Sequence, residues 1–68
     1  MATVRKALQG ARKQNNMTQK QVAEYLGISR TSYQKIELAQ RTGQHEHWDK
    51  LEELFEIHQT LLREVSTY

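Results

Sequence analysis

Apolar residues recur along this chain at the three-and-four spacing of an α-helix rather than the alternation of a strand. Val4, Leu8 and Ala11 share one stripe, with Arg5, Lys6, Gln9 and Lys13 mostly opposite, so a first helix is expected from about Val4 to Gln14, ended by Asn15 and Asn16. Thr18 followed by Gln21 has the form of a capping box, which predicts a second helix from about Gln19 with Val22, Ala23 and Leu26 buried. Gly27 is the residue best able to stop that helix in a left-handed conformation, Ile28 can plug the core, and Ser29 can cap a third helix from about Arg30 to Leu38. In that helix Tyr33 and Ile36 point one way while Thr31, Gln34 and Lys35 point the other, and the helix count turns Leu38 outward. A looser stretch, 39–44, leads to a fourth helix from about His45 to Ile57. Its stripe is Trp48, Leu51 and Phe55, widened by Leu54, and Glu46 and Asp49 suit the dipole at its start. A short last helix from about Gln59 to Ser66 offers Leu62 to the core. Leu61, Val65 and Tyr68 form a neighbouring strip that one small core does not need. The expected class is all-α.

At 68 residues the chain is expected to be a single domain spanning 1–68. It has no Cys, which excludes disulfides and thiolate metal sites, so packing alone must hold it. A core of this size rarely yields more than about 3–5 kcal/mol, and many such domains gain the remainder by oligomerising, so a homodimer is expected. Apolar runs no longer than pairs such as Leu54-Phe55 and Leu61-Leu62 leave no membrane span or signal-peptide core, and a soluble cytoplasmic protein is expected.

The net charge of +2 hides a sorting of charges along the chain. Residues 1–45 carry eight Lys and Arg against Glu24 and Glu37, a balance of +6, whereas residues 46–68 carry Lys50 and Arg63 against six acidic side chains, a balance of −4. One face is therefore suited to a polyanion and another is not. His45, His47 and His58 are the only candidates for metal or acid-base chemistry, and the i, i+2 spacing of the first two splits them across a helix. Neither a metal site, a cofactor, a small-molecule ligand nor an enzymatic activity is expected. The relation of Trp48 to Leu51 and Phe55 makes it a core anchor rather than a platform for a base.

Two short helices joined by a three-residue, Gly-containing turn, the second polar on its outer face, form the helix-turn-helix pattern. Across Ala11-Arg12, Met17-Thr18-Gln19, Val22-Ala23, Leu26-Gly27-Ile28-Ser29, Tyr33, Ile36-Glu37 and the Trp48, Leu51, Phe55 stripe, the chain resembles the Xre/Cro-type family of helix-turn-helix regulators, which includes the lambdoid phage repressors. That resemblance implies a five-helix bundle that binds double-stranded operator DNA as a dimer, with the third helix in the major groove. It puts Gln19 where the start of helix two grips a phosphate, Arg30, Thr31 and Lys35, with Gln34 beside them, on base-reading positions, and Arg12 and Glu37 in an ion pair. Further backbone contacts are expected from Arg12, Lys13, Lys20, Ser32 and Arg41.

Elementary physics supports the base-reading set. Arg30 lies in a first helical turn, where the dipole disfavours a cation by about 0.3–1 kcal/mol, so local stability does not account for it and an anionic ligand would. Arg and Lys can address guanine, Gln can pair with adenine, and a Thr methyl can touch thymine. Two departures from the family pattern leave the path of the next loop open: Ala39 stands where Gly is usual, and Gly43-Gln44 where many members have Pro. The dimer contact is expected at Leu61, Val65 and Tyr68, with Leu54. The rival expectation is a protein-interaction module, an antitoxin-like partner whose acidic fourth helix binds a basic protein.

Overall fold

The computed structural model describes residues 3–67. In chain order it contains β1 (Thr3–Val4), α1 (Lys6–Gln14), α2 (Gln19–Leu26), α3 (Arg30–Glu37), α4 (His45–Phe55), α5 (Gln59–Leu62) and β2 (Ser66–Thr67). The five helices surround one core in which Trp48, Tyr33, Leu8, Leu51 and Leu62 are all fully buried. The class is all-α, with β1 and β2 adding a two-residue antiparallel pair in which Val4 faces Ser66.

The helix boundaries follow from local chemistry in the middle of the chain. Thr18 accepts the Gln21 amide at 3.1 Å while the Thr18 N–H donates to the Gln21 side chain at 2.9 Å, so the capping box closes and starts α2. Gly27 ends it at φ +75°, a conformation that a side chain disfavours. Ser29 accepts the Ser32 amide at 3.1 Å and starts α3 three residues later.

Both ends of the chain depart from the expected helices. Val4 is buried but belongs to β1, not to the first helix, because the Arg5 N–H donates to the Glu37 carbonyl at 2.8 Å and draws the backbone out of helical register. The fourth helix stops at Phe55, where Glu56 turns left-handed at φ +55°, two residues before the expected end at Ile57. The fifth is a single turn ending at Leu62 rather than Ser66, since the chain beyond Arg63 leaves to pair with β1. Its start is tied to α4, where the Gln59 N–H donates to Glu52 and the Gln59 side chain to Asp49, both at 2.9 Å. Leu38 caps α3 half-buried instead of pointing outward, and Leu54 is likewise half-buried, with part of its side chain packed on the core.

The loop after α3 resolves both departures from the family pattern. Ala39 takes the left-handed conformation, at φ +61°, in spite of its Cβ, at a cost of about 1–2 kcal/mol. Gly43 lies so close to the core that a Cβ there would meet Trp48 Nε1 at 3.2 Å and Ile36 Cδ1 at 3.3 Å. The indole N–H of Trp48 then donates to the Thr42 carbonyl at 2.8 Å, fastening the loop to the start of α4.

Candidate nucleic-acid interface

The turn between α2 and α3 presents the first residues of α3 to solvent, so Arg30 and Thr31 are exposed and Gln34 and Lys35 half-exposed on its outer side. Tyr33 and Ile36 anchor the inner side. The four expected base-reading positions therefore share one accessible strip.

Grooves lie on both sides of that strip. One, of about 500 Å³, runs between the end of α1 and the start of α2 and is lined by Gln9, Arg12, Lys13, Met17, Thr18, Gln19, Lys20 and Arg30. Four of its eight residues are cationic, none is acidic, and the N-terminal amides of α2 border it, an arrangement that favours an anion. The other groove, lined by Ile28, Ser32, Ile36, Arg41, Gly43, Gln44 and His47, lies between α3 and the start of α4.

A partly buried ion pair supports α3 from below. Arg12 donates from Nε to Glu37 Oε2 at 2.9 Å and from Nη2 to Oε1 at 3.1 Å, and its Nη1 reaches the Met17 carbonyl at 3.0 Å. Glu37 is 1% exposed and also accepts from Gln19 Nε2 at 3.3 Å. The hydrogen bond to Glu37 raises the Arg12 pKa above its ordinary value. Tyr33 is pushed well above the usual phenol range, first by burial and then by the Glu37 carboxylate, and its hydroxyl has no hydrogen-bond partner among the described residues.

The expected backbone-contacting residues fall into two groups. Lys13, Lys20 and Arg41 are exposed. Gln19, Arg12 and Ser32 are engaged within the protein: Gln19 and Arg12 on Glu37, and Ser32 in the α3 cap, where it also accepts from Arg41 Nη1 at 3.4 Å. Of the expected dimer residues, Leu61 and Val65 are about half exposed, at 51% and 52%, and Tyr68 lies outside the described residues. No group of three His, Asp or Glu side chains among the described residues is placed to hold a metal. Sequence reasoning missed Arg5. It is only 6% exposed, and the available signal was the one that marks Arg30, a cation at a helix start with no acidic residue in the first turn.

Two capped helices joined by three residues, with a polar strip outermost and cations on both sides, define a DNA-binding helix-turn-helix regulator. A family model described as helix-turn-helix matches residues 8–58, and the chain belongs to this Xre and lambda-repressor-like family. No curated protein and no solved structure gives a significant match. No helix among the described residues is long and apolar enough to cross a membrane.

Proposed function

We propose that this chain, as a single helix-turn-helix domain over 1–68, is a cytoplasmic repressor that binds a pseudo-palindromic operator as a homodimer. The single observation that carries the reading is the exposed strip of Arg30, Thr31, Gln34 and Lys35 flanked on both sides by cation-bearing grooves. The strip lies along the base edges of the major groove, while Lys13, Lys20 and Arg41 take phosphates on either side. Gln19 holds its phosphate through the first amides of α2, with its side chain braced on Glu37, and Arg12 and Ser32 border the same backbone path. Leu61 and Val65, with Leu54 at the margin and Tyr68 beyond, form the subunit contact, which spaces two half-sites about 34–36 Å apart.

Selection from a random duplex library, followed by footprinting, tests the reading. Arg30→Ala and Lys35→Ala should each cost about 1–3 kcal/mol and relax preference at single base pairs, whereas Gln19→Ala should weaken all sequences alike. Affinity should fall by about 0.9 log units per tenfold increase in salt for each phosphate neutralised. Sedimentation that shows only monomer at tens of micromolar would remove the dimer.

One observation favours a second reading. Glu46, Glu53 and Glu56 are exposed on and just after α4 with Lys50 the only cation among them, a surface suited to a basic protein such as an antitoxin-like module would bind. A flat salt response together with unchanged Arg30 and Lys35 variants would favour it.

A further inference from the structure

Arg5 and Glu37 are the buried charged side chains among the described residues, and Glu37 is matched by Arg12. Arg5 forms no ion pair with a carboxylate there. Its guanidinium is instead surrounded by backbone carbonyls from three segments distant in sequence: Ile36 in the last turn of α3, Arg41 in the following loop at 3.0 Å, and Arg63 after α5 at 3.1 Å. It also lies over the Trp48 ring, 5.2 Å from the centroid. Burial, with repulsion from Arg63 second, lowers its pKa, so the site works against the charge it holds. An apolar side chain would fill such a space at less electrostatic cost. What an apolar side chain cannot do is join three carbonyls.

Two of the three acceptors belong to the DNA-facing part of the molecule. The Ile36 carbonyl lies in the last turn of α3. Arg41, whose backbone Arg5 holds, reaches back with its own guanidinium to Ser32 on α3. We infer that Arg5 is a positioning residue for DNA binding: its guanidinium sets the loop after α3 against the last turn of that helix, so that Arg41 meets a phosphate while α3 lies in the major groove. The inference rests on the placement of α3 and Arg41 given under Proposed function. Arg5 itself touches no DNA.

The test is a fluorescence-anisotropy titration of the full chain with the selected duplex, run where circular dichroism shows each variant folded. Arg5→Met should lower affinity at least tenfold and make the log-log salt slope shallower by about 0.9, the loss of one phosphate contact. Arg5→Lys keeps the charge but not the planar fork and should also lose affinity; a return to wild-type affinity and slope in Arg5→Lys would overturn the inference. Should Arg5→Met be unfolded, the wild-type chain decides. By reciprocity of coupling, bound duplex must slow hydrogen exchange at Arg5 Nε by at least the same tenfold, and an unchanged rate would overturn the inference. A wild-type chain that binds no duplex would overturn the operator reading and this inference with it. Wild-type binding with unaltered variants would overturn this inference alone.

Discussion

The last turn of α3 is held on its two flanks by opposite electrostatic solutions. On the flank facing α1 and α2, Arg12 and Glu37 cancel each other in a two-pronged ion pair, with Gln19 and the Met17 carbonyl taking up further bonds. On the flank facing β1 and β2, Arg5 carries a charge that, among the described residues, only dipoles offset, namely three carbonyls and the face of an indole. The first arrangement depends on two side chains being present together. The second depends on the backbone being in the right place, so it senses geometry rather than sequence. Its position also suits the helix, since a cation at a helix C-terminus is favoured by the dipole.

The difference is open to direct challenge by urea denaturation. Arg12→Met leaves the Glu37 carboxylate buried and uncompensated, and should cost about 3–5 kcal/mol, most of it recovered when Glu37 is also replaced by Leu. Arg5→Met leaves no charge behind, only carbonyls short of a donor, so its cost should be smaller, about 1–3 kcal/mol. Equal losses in the two variants would erase the contrast between the flanks.

Tyr33 refines the picture of the first flank. Its unpartnered hydroxyl lies in the neighbourhood of Arg12 and Glu37, so Tyr33→Phe should raise stability by about 1 kcal/mol at neutral pH. Because the folded state holds this phenol above its ordinary value of 10.0, the unfolded chain releases the proton first. Wild-type stability should therefore decline as pH rises beyond about 10, and alkaline unfolding curves should show a shallower decline in the Phe variant. The smallest expected change is at Ala39, between the two flanks. Ala39→Gly relieves a left-handed Cβ but frees the unfolded chain, for a net gain of a few tenths of a kcal/mol in the same denaturation assay.

The parts of the molecule that were legible in the sequence are those governed by near neighbours. The Thr18 box, the Gly27 stop and the Ser29 cap each act over two or three residues, and the polar side of α3 follows from a constant turn per residue. The helix-turn-helix and the exposure of Arg30 and Thr31 were readable for that reason. Val4 carried the spacing of a helical residue yet joined a strand, because its partner Ser66 lies at the other end of the chain. The same long-range pairing cut the last helix to one turn. The inward turn of the Gln19 side chain, and the enclosure of Arg5 by Ile36, Arg41 and Arg63, likewise depend on where distant backbone comes to rest. No periodicity encodes that.

The Arg63 carbonyl on Arg5 has a consequence for synthesis. As the chain emerges from the ribosome, α1 to α4 have all been made before the third acceptor exists, so a nascent or prematurely terminated product leaves this guanidinium one hydrogen bond short. The three-carbonyl seat of Arg5 thus closes only once a residue 58 positions downstream has been translated.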